Sequence, residues 1–346
     1  MKALILAGGK GTRLRPLTVY TPKPVVPLMN RPFLLFQIEL LARAGISDIT
    51  LSLSYQPDKI EDQLGDGSEY GVRLNYVTEP NPLGTGGAYK YAFANETQTA
   101  VVFNGDILTD FDLSAMIAAH KEKTADATIA LTPVADPSRY GLVETDDRDA
   151  VIRFIEKPKL EEISSLGTNL INAGIYILEP SVLPLIATGE NASFEYNVFP
   201  EILERKMRFK SFSLLGSYWK DIGTPESYLT AQMDFLNGNI NGWSFPPSKN
   251  AELATTAIID DRSLIGDGCV IKPNARIVNS VLGPGVHIEE KAVVENSVIW
   301  AHSRISASAE IYGSVICRSC HIGKNAVVGV GSVLGDKASL PDYSKV

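Results

Sequence analysis

Short apolar runs alternate with amphipathic stretches through residue 236, and a different rhythm takes over near the C-terminus. The run 3–7 is too short for a helix and suits a buried parallel strand. Phe33, Leu34, Phe36, Ile38, Leu40 and Leu41 predict a helix over 32–44, with Gly45 as its C-cap. Strands follow at 49–53, 72–77 and 100–103, with a helix at 58–64 and another opening from the glycine-rich loop 79–88. Further on, the pattern predicts helices over 113–123, 193–206 and 226–236, and strands at 127–133, 140–143, 151–155 and 171–177. Strands separated by helices of this length imply a Rossmann-like α/β domain, its sheet mixed but mostly parallel, with helices on both faces.

The second rhythm begins after a stretch rich in Asn, Gly, Pro and Ser. Ile265, Ile271, Ile277, Leu282, Ile288, Val294, Ile299, Ile305, Ile311, Ile316, Ile322, Val328 and Leu334 are spaced six, six, five, repeatedly, with a final six. That period predicts a parallel β-helix in which each coil needs its neighbours to bury its apolar side. The expected organisation is an α/β domain over 1–236, a linker over 237–255 and a β-helix over 256–346.

Composition narrows the function classes. The 346 residues carry a net charge of -8, which argues against non-specific nucleic-acid binding and makes the few clustered cations look purposeful. No apolar run approaches the ~18 residues of a membrane span, and the N-terminal apolar run is too short for a signal peptide. Three cysteines suit a reducing cytoplasm better than a disulfide framework. Cys317-x-x-Cys320-His321 has no second Cys/His pair at zinc spacing, and the repeat accounts for Cys269 and Cys320 as core residues.

Candidate chemistry starts at the end of the first strand. Gly8, Gly9 and Gly11 let the backbone turn sharply and approach a ligand; Thr12, Arg13, Arg15 and Lys23 add a hydroxyl and cations. The loop matches neither G-x-G-x-x-G nor G-x-x-x-x-G-K-[ST], so it is a phosphate loop of another kind. Asp106 follows a predicted inner strand, at the sheet edge where open α/β folds bind ligands. A carboxylate beside phosphates needs a cation between them, which makes Asp106 a candidate Mg2+ ligand and the isolated loop residue Asp221 its candidate companion. Glu156-Lys157-Pro158 ends a strand, and Asn172-Ala173-Gly174 offers small residues where a ligand could sit close.

Taken together, Leu6-Ala7-Gly8-Gly9-Lys10-Gly11-Thr12-Arg13-Leu14 with Pro22-Lys23-Pro24, then Leu83-Gly84-Thr85-Gly86, Asn104-Gly105-Asp106, Glu156-Lys157-Pro158, Asn172-Ala173-Gly174 and Trp219-Lys220-Asp221-Ile222-Gly223-Thr224, resemble the sugar-1-phosphate nucleotidyltransferases. The resemblance spans nearly the whole chain. It implies a nucleotidyltransferase (glycosyltransferase-A-like) domain followed by a left-handed β-helix, and it favours the branch pairing GTP with mannose 1-phosphate. Leu6, Ala7, Gly8, Gly9, Gly11, Thr12 and Arg13 would bind the nucleoside triphosphate, with Leu83, Gly84 and Thr85 framing the base. Lys23 would lie on the triphosphate, and Asp106 and Asp221 would hold Mg2+. Tyr140, Gly141, Glu156, Asn172 and Gly174 would line the hexose 1-phosphate, with Lys157 on its phosphate.

The nucleophile of such a reaction is already an anion, so no general base is needed, and the sequence offers Arg, Lys and Asp rather than a catalytic His, Ser or Cys. Three other readings stand beside this one: uridylyl, thymidylyl or adenylyl transfer to glucose 1-phosphate; a non-catalytic nucleotide-sugar-binding regulatory subunit; and a β-helix that transfers acyl groups. Its edges and the linker make self-association into a homo-oligomer the expectation.

Overall fold

The computed structural model describes residues 1–346, which fold as two compact units, each assembled from two stretches of chain. One contains Met1–Gly9 and Leu34–Trp219, the other Lys10–Phe33 and Lys220–Val346. Packing therefore groups residues differently from their linear order: a 24-residue stretch near the N-terminus belongs with the C-terminal region.

The first unit is built on a nine-stranded sheet. Its strands in chain order are β1 (Lys2–Leu6), β2 (Asp48–Leu53), β3 (Arg73–Thr78), β4 (Ala100–Asn104), β5 (Ala127–Pro133), β6 (Gly141–Thr145), β7 (Val151–Glu156), β8 (Leu170–Leu178) and β9 (Phe209–Ser213). The spatial order is β7-β6-β8-β4-β1-β2-β3, with β5 on β8 and β9 on β5. Pairing is parallel for β1 with β2 and β4, β2 with β3, and β5 with β9; β8 runs antiparallel to β4, β5 and β6, and β7 to β6. β1 and β4 are near-continuous apolar strands because helices cover both faces. One face packs Leu4, Val102, Ile129, Tyr176 and Phe209 against Phe194 and Phe199. Phe194 and Phe199 stack with ring centroids 5.6 Å apart.

The predicted helix over 193–206 is a π-helical turn, Phe194–Val198, followed by a short α-helix, Phe199–Glu204. Pro200 sits in the first turn of that helix, where its missing N–H costs nothing. The strand Phe209–Ser213 and the helix Leu160–Leu166 lie where no element was predicted.

The second unit contains a three-sided parallel β-helix. Columns such as Ile271, Ile288, Ile305 and Ile322 stack one coil apart, 17 residues each. Parallel columns run through Ile277, Val294, Ile311 and Val328, and through Leu282, Ile299 and Ile316. All of these side chains are buried in one apolar cluster, together with Cys269 and Cys320. All three cysteines are free and buried, and desolvation raises their thiol pKa values, so they behave as packing residues. No helix is long and apolar enough to cross a membrane.

Candidate active site

The strand order places β1 between β2 and β4, both parallel to it, which is the switch point where open α/β sheets bind ligands beyond the strand ends. Leu6 pairs with Asn104, so the Gly8-Gly9 turn and the 104–106 turn leave the sheet side by side. Gly105 is required there: its N–H donates to the Leu6 carbonyl at 2.9 Å, and a Cβ would stand 2.7 Å from that same oxygen. Buried Gln37 clamps the turn, its Nε2 donating to the carbonyls of Asn104 at 2.9 Å and Ile107 at 2.7 Å. Asp106 is thus presented from a rigid turn.

The antiparallel strands bring Gly174, Asn172, Gly141 and Glu156 to the same edge. Ile175 of β8 pairs with Phe103, which sets Gly174 against Asn104; Gly174 has φ +74°, and a Cβ on it would meet Asn104 Nδ2 at 2.9 Å. Asn172 holds this bend open by accepting from the Gly174 N–H at 2.9 Å and donating to Tyr176 Oη at 2.8 Å. Ile171 pairs with Leu142, and Glu156 with Gly141, so Gly141 and Glu156 continue the row. A Cβ at Gly141 would collide with Phe154 and press on the Glu156 carboxylate at 3.0 Å. Burial, followed by the charge of Glu195, raises the Glu156 pKa, while Lys157 opposes the rise. The Lys157 side chain is largely exposed, with its ammonium 4.0 Å from Glu156. Tyr140 packs edge-on to Trp219 at 5.8 Å, and the Trp219 indole N–H donates to the Ala173 carbonyl at 2.9 Å.

The residues of the two glycine-rich loops in this unit differ in their freedom. Gly9 has open space around its Cβ position, whereas one on Gly8 would stand 3.0 Å from Ser54 Oγ. Glu79 binds the Ser52 hydroxyl at 2.8 Å and the Leu83 N–H at 3.1 Å, tying β2 to the second glycine loop. Leu83 is buried. Thr85 Oγ1 accepts from the Phe194 N–H at 2.8 Å and donates to Glu195 at 3.1 Å, so its hydroxyl already serves the π-helical turn.

In the second unit, Gly11 is left-handed at φ +61°, with Thr18 donating to its carbonyl at 2.7 Å. Its Cβ position lies 3.2 Å from Lys23 Cβ, so the loop and Lys23 are packed together. Thr12 and Arg13 lie on a single 3-10 turn, Thr12–Leu14. The Cβ position of Gly223 is 3.2 Å from Asp221 Oδ2 and 3.4 Å from an Arg13 guanidinium nitrogen, so this glycine admits both charged groups. A bulkier residue at 223 would push on one of them.

Gln37, Glu79, Glu195 and Trp219 support this edge and carry no role assigned from sequence. For Gln37 a signal existed: an amide on the helix Leu34–Arg43, surrounded by the apolar Leu34, Leu35, Phe36, Ile38, Leu40 and Leu41. For Glu195, nothing in the sequence announced the π-helical turn that aims it.

Comparison with known proteins agrees with this geometry. A family model described as nucleotidyl transferase matches residues 2–238, and the left-handed β-helix domain of the EIF2B epsilon subunit matches residues 247–346. A mannose-1-phosphate guanylyltransferase of Mycobacterium tuberculosis is 37% identical, the match covering 81% of this chain and 79% of the relative. A mannose-1-phosphate guanyltransferase of Pichia angusta is 40% identical over 78% of this chain and 74% of its own. Its counterpart in Saccharomyces cerevisiae is 39% identical over 77% and 71%. A Rossmann-like unit with its loops at the switch point, followed by a left-handed β-helix, belongs to an enzyme of the nucleotidyl transferase family.

Proposed function

We propose that the chain transfers a guanylyl group from GTP to mannose 1-phosphate, forming GDP-mannose and pyrophosphate. The supporting observation is the single row of Gly8, Asp106, Gly174, Gly141 and Glu156 along one sheet edge, and the named activity of relatives 37–40% identical to it supports the choice of substrates. A phosphate oxygen of the sugar attacks the α-phosphorus of GTP in line; the bond from that phosphorus to the bridging oxygen breaks, and pyrophosphate leaves with the electron pair. No proton has to be removed from the nucleophile, so catalysis rests on positioning and charge.

In this reading Leu6, Ala7, Gly8, Gly9, Gly11 and Thr12 hold the triphosphate, and Leu83, Gly84 and Thr85 flank the base. Arg13 and Lys23 screen the phosphates. Glu156, with Tyr140, Gly141, Asn172 and Gly174, orients the hexose, and Lys157 binds its phosphate. The carboxylates of Asp106 and Asp221 are hard oxygen donors of the kind Mg2+ takes, and Asn104 Oδ1, two residues before Asp106, is buried without a hydrogen-bond partner. Both aspartates are proposed as ligands of that ion, which when bound withdraws charge from the phosphates.

The linear organisation proposed is a catalytic domain over 1–236, a linker over 237–255 and the β-helix over 256–346. Three free thiols suit a reducing compartment, so a cytoplasmic location is proposed. The enzyme is proposed to be a homo-oligomer, which light scattering after size exclusion tests. The role assignments are tested with Asp106→Asn and Arg13→Ala: at saturating Mg2+ each is expected to lower turnover by about 10²-fold, the usual scale of one lost electrostatic element. Near-normal turnover in either variant removes that residue from the mechanism.

A further inference from the structure

We propose that the β-helix is the anchor that positions the phosphate-screening cations, acting through Gln232 and Tyr228 on the segment that carries Arg13 and Lys23. The inference rests on the roles given to those cations under the proposed function. It starts from a contrast between the sides of the β-helix. Outward-facing Val281, Val298 and Val315 are buried, whereas His287, Arg304 and His321 on another side are exposed.

Hydrogen bonds identify what is held on the buried side. Asn30 Nδ2 donates to the Leu282 carbonyl at 2.8 Å, and the Trp300 indole N–H donates to Tyr228 Oη at 2.9 Å. Tyr228 and Gln232 lie one turn apart on the helix Pro225–Leu236, and both are buried. The Tyr228 hydroxyl donates to the Pro27 carbonyl, which also accepts from Gln232 Nε2 at 3.1 Å. Gln232 Oε1 accepts from the Met29 N–H at 2.9 Å. One buried amide and one buried phenol thus fix residues 27–29, and Trp300 fixes the phenol.

The held segment is continuous with the cations. Pro27 is four residues after Lys23. The turn Lys23–Val25 closes through the Val26 N–H to the Lys23 carbonyl at 3.2 Å, and Val25 and Val26 are buried. Lys23 Cβ packs at 3.2 Å from the Gly11 Cβ position, next to the turn that carries Arg13. A second tether lies at Pro16, whose Cβ is 3.3 Å from the Cβ position of Gly335 in the last coil. A displacement of about 1 Å in such a group can cost on the order of 10² in rate. Gln232, Tyr228 and Trp300 are therefore positioning residues for the reaction.

The test is a double-mutant cycle. Gln232→Met keeps the side-chain volume and removes both hydrogen bonds to residues 27–29; Tyr228→Phe is the milder variant. Each is measured alone and combined with Lys23→Ala, reading kcat, the dissociation constant of GTP with Mg2+, and Tm. Gln232→Met alone is expected to lower kcat or weaken GTP at least about tenfold, and Tyr228→Phe about threefold. In the Lys23→Ala background each is expected to cost clearly less than it does alone, because one of the two cations they position is gone. Losses that multiply fully in the double variants would mark a general loss of stability and overturn the inference. So would both single variants staying within twofold of the parent while Lys23→Ala is impaired. Full activity and GTP affinity in Lys23→Ala would overturn the assigned role of Lys23 and the inference with it.

Discussion

Two glycine-rich stretches of this chain look alike in sequence and differ in what their glycines do. In the first, Gly9 faces open space, with nothing within 4 Å of its Cβ position. In the second, Gly84 and Gly87 face backbone: their Cβ positions lie 2.5 Å from the Ala192 carbonyl oxygen and 2.6 Å from that of Glu190. The helix Gly84–Ala92 and the segment leading into the π-helical turn are further joined by the Gly87 N–H to the Ala192 carbonyl and the Ala192 N–H to the Leu83 carbonyl, both at 2.9 Å. A glycine can make room for a ligand or for the protein itself, and only the surroundings distinguish the two. The first loop is read as the place where phosphates approach; the second is a packing joint.

That contrast can be broken by single methyl groups. The largest effect is expected at Gly84, which is also left-handed at φ +71°. Gly84→Ala combines backbone strain with the carbonyl clash and should destabilise by about 2–4 kcal/mol, seen as a lower midpoint in urea. Gly87→Ala keeps a helical backbone and meets only the clash, so about 1–3 kcal/mol is expected in the same assay. Gly9→Ala should leave the urea midpoint unchanged and raise KM for the nucleoside triphosphate about tenfold, the loss of one charge-assisted contact. A Gly9→Ala variant that is destabilised but binds nucleotide normally would reverse the comparison.

The smallest effect concerns Glu156. Burial raises its folded pKa above the usual 4.5, so the native state holds the neutral acid more readily than the unfolded chain does. Where the carboxylate is ionised its burial costs stability; that cost is relieved as pH falls through the raised folded pKa toward 4.5. Glu156→Gln should therefore melt up to about 2 °C higher than the parent at pH 7. The difference should shrink as pH falls through 4.5 and vanish well below it, where the carboxyl is neutral in both states. The same variant should lose sugar-phosphate turnover, separating the residue's cost to the fold from its use at the site.

How much was legible in the sequence follows from how local each signal is. The six-six-five spacing reports a coil whose every turn repeats the same burial, so the β-helix and its core cysteines could be read position by position. The edge of the sheet was legible too, because Gly8-Gly9 and Asn104-Gly105-Asp106 each follow an apolar strand directly. The strand Phe209–Ser213 was not: it pairs in parallel with Ala127–Pro133, about 80 residues earlier, and its alternating Phe209, Ser211 and Ser213 carry too little apolar signal. Glu79 escaped for a similar reason, since its hydrogen bond to Ser52 spans 27 residues. Least legible of all was the packing of residues 10–33 with 220–346. It depends on polar groups such as buried Gln232 and half-buried Asn30 meeting partners about 200 or more residues away, and no local pattern encodes such a meeting.

The central claim is the reaction itself, and pyrophosphate release across a substrate panel tests it most directly. GTP, UTP, dTTP and ATP would each be paired with mannose 1-phosphate and glucose 1-phosphate at fixed Mg2+. The account predicts that GTP with mannose 1-phosphate gives the highest kcat/KM, at least about tenfold above every other pair, the discrimination expected when a site built for particular polar groups meets others. A higher value for any other pair, or no pyrophosphate from GTP and mannose 1-phosphate, would contradict it.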